Sequence, residues 1–470
     1  MKRGVHEIDS SLSSGKLESI EQILVNLFVT QPSVVKDLSW LEALALISKG
    51  KLLAKILYKL EEFDLKLVYT LSKTVCKVCR KYQLHERFYT GKVYTLGSSN
   101  YGKLGNGRTD SHRVGIPVQV QGITEPIASI SCGDYHTGIV TVSGKAYTFG
   151  YGLHGRLGDG RTDQHSVGIP VQVQGITEPV ASISCGIYHT GIVTIYGKAY
   201  TFGSGYYGAL GDGKTDNHYI GIPIQIEGIT EPVASISCGI YHTGVVTVSG
   251  KAYTFGSGYN GKLGDGRIGQ HSVGIPVQVQ GIIEPVASIS CGGYHTGIVT
   301  VSGKAYTFGC GEFGRLGDGR TDDHSVGIPV QVQGITEPIA SISCGGHHTG
   351  IVTVSGKGHT FGYGYNGRLG NGRTDIYAVG IPVQVQRITE PIASISCGEY
   401  HTGIVTVSGK AYTFGSGLYG KLGNDRTDHH DVGIPIQIEK LPGFITSISC
   451  GGHHTGIVTM PESSLKFNIN

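Results

Sequence analysis

The chain has 470 residues, with 38 basic and 35 acidic side chains and a formal net charge of +3. This near balance excludes a strongly basic protein that binds nucleic acid or an anionic membrane through charge alone, so we expect neither as a partner. We see no secretory signal and no apolar stretch of membrane-spanning length, and we therefore expect a soluble, intracellular protein of the cytoplasm or nucleus.

The first part of the chain differs in kind from the rest. Residues 1–16 are polar and predict a flexible N-terminus, whereas residues 17–88 place apolar side chains at helical spacing. Leu17–Phe28 and Asp64–Tyr82 are two of four such amphipathic segments. The pattern predicts a small α-helical N-terminal domain over residues 17–88.

Residues 91–461 consist of one unit repeated seven times. The pattern Ser-Cys-Gly-x-x-His-Thr-Gly recurs every 53 residues, with its cysteine at Cys132, Cys185, Cys238, Cys291, Cys344, Cys397 and Cys450. Each unit contains four short β-type runs separated by turns rich in glycine or proline, which is the content of one propeller blade. We predict an all-β seven-bladed β-propeller over 91–461, followed by a C-terminal tail at 462–470. The repeated cysteines are interpreted as small buried residues and not as disulfides.

The two ends of the repeat region predict how the ring closes. The clearest hairpin signal, a Ser-Gly turn between two alternating strands, straddles the boundary between successive units. The first unit therefore starts with a lone strand, Gly91–Leu96, and the last unit ends with a lone strand, His454–Thr459. We expect these two strands to pair in one composite blade, which removes the open edge of the sheet.

The repeat resembles a known family. Its pattern Gly-x-x-Tyr-Thr-Phe-Gly-x-Gly-x-x-Gly-x-Leu-Gly, followed by Pro-x-x-Val and then Cys-Gly-x-x-His, is similar to the regulator-of-chromosome-condensation repeat. The resemblance implies a seven-bladed propeller and a structural role for the histidine. One departure is the glycine two residues after each histidine, such as Gly138, where the family usually has an apolar residue. This departure leaves the local strand packing open.

The N-terminal segment carries a second resemblance. Leu52–Leu57 and the apolar residues that follow, up to Phe88 and Tyr89, are similar to the later part of an F-box. The leading Leu-Pro of that family is missing, because Ser48-Lys49-Gly50 stands in its place. The resemblance implies an F-box-like role for residues 17–88.

Two repeated motifs have chemical and structural interpretations. The turn from Gly150 to Gly155 matches Gly-x-Gly-x-x-Gly, but no helix pattern follows it, so we interpret it as a turn and not as a dinucleotide site. Cys132 and His136 have the spacing of a metal pair, but four ligands would not converge in a radial ring. We expect this histidine to tie neighbouring backbone segments. An active site needs a unique cluster, which equal repeats do not supply, so we expect no enzyme activity, no cofactor and no metal site.

The repeats differ from one another at a few positions, which we expect at loop tips because wedged core positions tolerate little change. One such position is the second of the two residues that separate the second and third glycines of the turn. Another is the residue just before each repeated histidine. Their aromatic side chains suit protein recognition, although neutral drift after duplication would also explain the variation. The candidate partner-binding residues are Tyr101, Tyr135, His154, Tyr188, Tyr207, Tyr241, Asn260, Tyr294, Phe313, His347, Asn366, Tyr400, Tyr419 and His453.

A third variable patch follows each Arg-Thr-Asp, as at Ser111–Arg113 and Gln164–Ser166. We expect it, too, at exposed loop tips. The preceding loop, which contains Asp159 and Arg161, predicts a solvated turn with local Asp–Arg pairing. Its acidic residues offset its arginines, so the loops predict no positive face for DNA.

We expect a non-catalytic protein-interaction scaffold whose protein partner is unknown. If residues 17–88 are an F-box, they would dock the adaptor of a cullin-type ubiquitin ligase, and the propeller would hold the substrate. The alternative is a guanine nucleotide exchange factor or regulator of a small GTPase, which the resemblance to the founding member of the family allows. Exchange in that family depends on a protruding loop, and seven units of equal length leave no insertion for one.

Overall fold

The structure, a computed structural model, describes residues 91–461. The predicted N-terminus (1–16), helical domain (17–88) and C-terminal tail (462–470) lie outside the described residues. The described chain forms strands joined by short turns, as the period-two pattern and the regular glycines predict.

The strands are β1 (Lys92–Ser98), β2 (Arg113–Gln119), β3 (Ile127–Cys132), β4 (His136–Thr141), β5 (Ala146–Tyr151), β6 (Ser166–Gln172), β7 (Val180–Cys185), β8 (His189–Thr194), β9 (Ala199–Ser204), β10 (Tyr219–Gln225), β11 (Val233–Cys238), β12 (His242–Thr247), β13 (Ala252–Ser257), β14 (Ser272–Gln278), β15 (Val286–Cys291), β16 (His295–Thr300), β17 (Ala305–Cys310), β18 (Ser325–Gln331), β19 (Ile339–Cys344), β20 (His348–Thr353), β21 (Gly358–Tyr363), β22 (Ala378–Gln384), β23 (Ile392–Cys397), β24 (His401–Thr406), β25 (Ala411–Ser416), β26 (Asp431–Gln437), β27 (Phe444–Cys450) and β28 (His454–Met460). The short 3-10 turns are Asn100–Gly102, Leu153–Gly155, Tyr206–Gly208, Tyr259–Gly261, Glu312–Gly314, Tyr365–Gly367 and Leu418–Gly420.

These strands form seven four-stranded antiparallel sheets, the blades of a propeller. Blade 1 has the order β3-β4-β5-β6, blades 2 to 6 repeat that order with the strands that follow, and blade 7 is β27-β28-β1-β2. The strand that ends in the repeated cysteine is innermost, since β3 contacts β7 of blade 2 and β27 of blade 7. The seven-bladed propeller predicted from the sequence is confirmed.

Blade 7 joins the two ends of the repeat region. β1 runs antiparallel to β28, from Lys92 opposite Thr459 to Gly97 opposite His454. β1 also pairs with β2 on its other side, so the N-terminal strand lies inside the sheet. This is the composite blade that the sequence predicts, and it closes the ring without a covalent link between its second and third strands.

The hydrophobic core lies between adjacent blades. Val140 of blade 1 packs with Ile183 and Phe202 of blade 2, and an equivalent cluster recurs at the following boundaries. The glycine that departs from the family pattern belongs to this packing: a Cβ on Gly138 would lie 2.6 Å from Ile183 Cδ1 and 2.8 Å from Cys185 Sγ. The next blade therefore fills the space that an apolar side chain would need, which resolves the open question of strand packing.

Each blade has two ends, which make two faces of the ring. The 3-10 turns and the residues just before each repeated histidine lie at one end, which we call the turn face. The Ser-Gly hairpins lie at the other end, the hairpin face. The hairpin face is nearly uniform, because the hairpin lysine of blades 1 to 6 pairs with a glutamate, as Lys145 does with Glu125 at 2.5 Å. Blade 2 differs from the other hairpins in having the exposed Tyr196 in place of serine.

Candidate protein-binding face

A ring of buried histidines links each blade to the next. His136 Nε2 lies 2.7 Å from Thr190 Oγ1 of the following blade, and the same pair recurs at every boundary, including that between blades 7 and 1. The Thr190 hydroxyl donates to the Arg156 carbonyl at 2.8 Å, so the imidazole must donate from Nε2. Burial lowers the pKa of these imidazoles, to about 4 for His189. The predicted structural role of the histidine is confirmed.

The innermost turns touch one another around the axis. A Cβ on Gly186 would collide with the carbonyl oxygen of Gly239 in the next blade, and an equivalent collision would occur at each boundary. Beside this contact, the Cys185 amide donates to Ser131 Oγ of the preceding blade at 2.9 Å. The repeated cysteines are buried free thiols, and burial raises their pKa, to about 12 for Cys397. Their interpretation as small buried residues is confirmed.

Packing explains the spacing of the Gly-x-Gly-x-x-Gly turns. The middle glycine, Gly152, lies against the imidazole of His165, and no Cβ would fit between them. The His165 side chain is only 6% exposed, and its Nε2 lies 2.9 Å from Asp159 Oδ2. The third glycine, Gly155, abuts the backbone of the neighbouring blade at Ile220. The expectation of an exposed loop tip after Arg-Thr-Asp is therefore wrong for this histidine, because its ring fills the space over the glycine.

Asp–Arg pairing within these loops is local, as predicted, but the arginine pairs with a different aspartate. Arg161 contacts Asp163 at 2.6 Å within its own loop, while His165 holds Asp159. Equivalent pairs occur in other blades, and their side chains are more than half exposed. Exposed pairs of this kind contribute little to stability.

The two sets of candidate residues come together on the turn face. Tyr188 stacks on Tyr241 with ring centroids 5.0 Å apart, and Tyr207 meets the edge of Tyr241 at 5.4 Å. Tyr400 stacks on His453 at 5.4 Å. Other ring pairs on this face are Tyr135–Tyr188, Tyr294–His347, Tyr419–His453, Tyr101–Tyr151, Phe313–Tyr363 and His154–Tyr219. The sequence did not single out Tyr151, Tyr219 or Tyr363, which lie at strand ends and complete the aromatic surface.

The candidates in the turns share an unusual backbone conformation. Their φ angles lie between 60° and 71°, in the left-handed region, at Tyr101, His154, Tyr207, Asn260, Phe313, Asn366 and Tyr419. Most candidates are half-buried because they stack on one another, and Tyr294 is the most exposed at 38%. Asn366 is the exception: it is buried, and its amide donates to Asp431 Oδ1 at 2.9 Å. That side chain faces the protein and not solvent.

A layer of buried cations lies beneath the aromatic residues, and sequence reasoning missed it. The residue after the third glycine of the turn is basic in six repeats and Ala209 in the remaining one. The cations are Lys103, Arg156, Lys262, Arg315, Arg368 and Lys421, all buried. Arg156, for example, donates to the Ile187 carbonyl at 2.9 Å, and its guanidinium lies 5.4 Å from the ring centroid of Tyr135 and 5.5 Å from that of Tyr188. The available signal was a basic residue just before Leu-Gly in six of the seven repeats.

Two carboxylates stand near the axis on the turn face. Asp134 and Glu399 occupy the first position after Cys-Gly, where the other repeats have Ile or Gly. Burial raises the pKa of Asp134 to about 7, with a further contribution from Glu399. Glu399 also lies 3.3 Å from the imidazole of His347. Because blades 2 and 3 have Ile187 and Ile240 at this position, the face has a charged sector and an apolar sector.

Two family models match the chain. The model of the RCC1-like domain matches residues 73–337, and the model of the regulator of chromosome condensation (RCC1) repeat matches residues 355–405 and 408–458. The chain belongs to the RCC1 family. The propeller, the buried histidine ring and the glycine turns described above are thus the form that RCC1 repeats take in this chain.

Curated relatives carry the same repeats. The chain is 33% identical over 337 residues to the ultraviolet-B receptor UVR8 of Arabidopsis thaliana, which covers 70% of this chain and 74% of the receptor. It is 32% identical over 390 residues to the human X-linked retinitis pigmentosa GTPase regulator, covering 81% of this chain but only 36% of the regulator. These RCC1 relatives are named as a receptor and a regulator.

A solved structure shows the same fold. The crystal structure of human WBSCR16 matches with a TM-score of 0.70 and 21% sequence identity, over 79% of this chain and 99% of that one. At this identity the likeness supports the RCC1 fold alone. Between residues 91 and 461, no helix has the length and apolar character needed to cross a membrane.

Proposed function

We propose that this RCC1 propeller is a non-catalytic platform that binds a protein partner on its turn face. The observation that carries the proposal is that most of the side chains that vary between repeats meet there in clusters of aromatic rings, whereas the hairpin face repeats the same lysine–glutamate pair. Aromatic rings supply large contact areas with few rotatable bonds, which is why they dominate protein recognition sites. The platform would act inside the cell, in the cytoplasm or nucleus.

The apolar sector of the turn face is the best place to test this proposal. Tyr188 and Tyr241 stack there beside Ile187 and Ile240. Partners would be identified by affinity purification of the full chain and mass spectrometry, and one purified partner would then be titrated. We expect Tyr188→Ala with Tyr241→Ala to weaken binding at least tenfold, since central aromatic contacts commonly contribute about 2 kcal/mol or more.

The hairpin face supplies the matched control. Lys251 and Lys304 are exposed and lie in the uniform Ser-Gly hairpins. A double variant, Lys251→Ala with Lys304→Ala, should bind the same partner with unchanged affinity. Loss of binding in this control, with the tyrosine variant unaffected, would show that the partner uses the opposite face and would contradict the proposal.

Regulation of a small GTPase is the second candidate function. It is supported by family membership and by the name of one relative, the GTPase regulator. The full chain would be mixed with a panel of small GTPases loaded with fluorescent nucleotide. Faster nucleotide release would establish exchange activity and contradict a purely passive platform. Binding of a GTPase without faster release would make that GTPase the partner of the platform.

An adaptor role in a cullin-type ubiquitin ligase is a further proposal for residues 17–88. The described chain starts at Gly91, and β1 enters the ring from the hairpin face. The proposal is supported by the similarity of Leu52–Leu57 and the apolar residues that follow to the later part of an F-box. Full chain and a version lacking 17–88 would be tested for co-purification with the adaptor, and equal recovery would contradict this role.

A further inference from the structure

The six buried cations beneath the turn face are not equivalent. Five of them donate hydrogen bonds to backbone carbonyls, which offset the free-energy cost of burying a charge. These bonds are Lys103 to Asp134 (3.2 Å), Arg156 to Ile187 (2.9 Å), Arg315 to Glu312 (2.8 Å), Arg368 to Glu399 (2.8 Å) and Lys421 to Leu418 (3.0 Å). Each of these cations therefore has a structural partner.

Lys262 is different. Only 5% of the residue is exposed, yet within residues 91–461 its ammonium has no hydrogen-bond acceptor, no carboxylate and no aromatic ring at contact distance. Its backbone is held in the usual way, because the Lys262 carbonyl accepts a hydrogen bond from Thr296 Oγ1 of blade 4 at 2.8 Å. The Nζ atom itself is not fully enclosed, so its hydrogen-bond donors reach solvent. Among the six cations, Lys262 is therefore the one whose donors stay available to a partner on the turn face.

Lys262 does not use the backbone carbonyl that several of the other cations bind. Lys103, Arg156 and Arg368 each donate to the carbonyl of the residue 31 positions further along the chain. For Lys262 that residue is Gly293, which carries no side chain. The next residue, Tyr294, is the most exposed of the candidate tyrosines. Burial lowers the pKa of Lys262 to about 8, so the side chain still carries a positive charge in most molecules at neutral pH. The site thus presents one largely buried positive charge next to an exposed aromatic ring.

We propose that Lys262 receives the carboxylate of an Asp or Glu side chain that the protein partner inserts into the turn face between blades 3 and 4. The inference rests on the proposed function, since it assigns part of the chemistry of that face. A carboxylate fits better than a phosphoryl group, because a doubly charged phosphate is usually held by several donors or a bidentate arginine. Lys262 offers a single ammonium.

The probe is a displayed library of random twelve-residue peptides, selected on the immobilised full chain. Peptides are kept when their binding is weakened by Tyr188→Ala with Tyr241→Ala, which identifies the turn face. We expect these peptides to carry an Asp or Glu at one fixed position. Lys262→Met should weaken their binding at least tenfold, and changing that Asp or Glu to Ala should cause a similar loss that does not add to the Lys262→Met effect.

Two controls separate a binding role from a structural one. Lys262→Met should leave the melting temperature of the free chain unchanged or raise it, because it replaces an unpaired charge by an apolar side chain of similar length. Lys304→Met on the hairpin face makes the same change of residue type and should leave peptide binding unchanged. Lys262→Arg, which keeps the charge, should retain more affinity than Lys262→Met.

The outcomes distinguish this inference from the proposed function. Peptides that need Tyr188 and Tyr241 but lack a fixed acidic residue, or bind Lys262→Met as tightly as the unmodified chain, would overturn the carboxylate site and leave the platform standing. Peptides that bind irrespective of both tyrosines, or a selection that enriches none, would count against both. A lower melting temperature for Lys262→Met would also overturn the inference, since the lysine would then be stabilising the free fold.

Discussion

At each blade boundary, a single imidazole is enclosed between two sheets and donates to one threonine hydroxyl. His136, His189 and their equivalents are fully buried, and burial lowers their pKa well below the ordinary value near 6.5. The hydroxyl in turn donates a hydrogen bond to a backbone carbonyl, so one motif of the repeat connects three segments of the chain. This histidine–threonine hydrogen bond is a local contact, but it occurs at every boundary of the ring.

These histidines predict a loss of stability in mild acid. Below about pH 6.5 the unfolded chain binds protons that the folded chain excludes, so the free energy of unfolding falls by up to about 1.4 kcal/mol per pH unit for each buried imidazole. Asp134, whose pKa is raised to about 7, acts in the opposite direction but is one group against seven. Urea unfolding followed by circular dichroism at pH 7.5, 6.5 and 5.5 should show a steeply falling midpoint. An unchanged midpoint at pH 5.5 would contradict the buried neutral ring.

The axial glycines give a second prediction at this scale. Gly186→Ala places a methyl group on the carbonyl oxygen of Gly239, which belongs to the backbone of the next blade and cannot rotate away. We expect a loss of at least about 2 kcal/mol in the free energy of unfolding. Gly269→Ala is the matched control, because a Cβ there meets nothing within 4 Å, and it should change stability by less than about 0.5 kcal/mol. Equal effects would show that the axis is not tightly packed.

The 3-10 turn is the element that presents a variable side chain of each repeat on the turn face. Its second residue is held with a positive φ, so each turn holds that side chain in a fixed orientation whatever its identity. The chain uses Tyr, His, Phe and Asn at this position, and of these Tyr and Phe are not among the residues enriched in that conformation. Such strain is often retained where a side chain has a function, which agrees with the proposed role of the face.

This backbone conformation can be tested with adjacent residues. Asn260 has a φ of 61°, so Asn260→Val should lower the free energy of unfolding by about 1–2 kcal/mol, because a β-branched side chain clashes with the backbone there. Its neighbour Tyr259 is 53% exposed, and Tyr259→Val should cost less than about 0.5 kcal/mol. Thermal melts of both variants measure these losses of stability. An equal loss in the two variants would contradict a strained turn.

For the whole molecule, closure of the ring depends on one non-covalent junction. In blades 1 to 6 a tight hairpin joins the second and third strands, with Tyr196-Gly197 in blade 2 and Ser-Gly in the other five blades. In blade 7 these strands are the two ends of the repeat region, β28 and β1. Leu96 of β1 is fully buried in a cluster with Ile445 and Ile457. The junction is therefore sealed by both hydrogen bonds and core packing.

Removal of this junction should open the ring. Deleting Gly91–Gly97 takes away the partner of β28 and of β2, which exposes two strand edges and the apolar cluster around Ile457. We expect loss of the cooperative melting transition and aggregation, measured by calorimetry and light scattering. Truncation after Pro461 is the control and should leave the transition in place. An unchanged transition in the deletion variant would mean that the ring does not need this strand.

The sequence alone was sufficient for the number of blades, the strands within each blade and the composite closure. These follow from local information, because spacing, alternation and turn residues act within one repeat and each repeat contacts only its neighbours. The family assignment rests on the same repeated residues.

Only the tertiary structure decided which residues of the variable patches are exposed on the turn face. His165 and Asn366 belong to variable patches of the repeat, yet one fills the space over a glycine and the other bonds to Asp431. The unpaired state of Lys262 is likewise invisible in the repeat pattern, since five equivalent positions hold cations that are satisfied. The physical reason is that burial and hydrogen bonding at these positions depend on the neighbouring blade, whose contacts form only when the ring is closed.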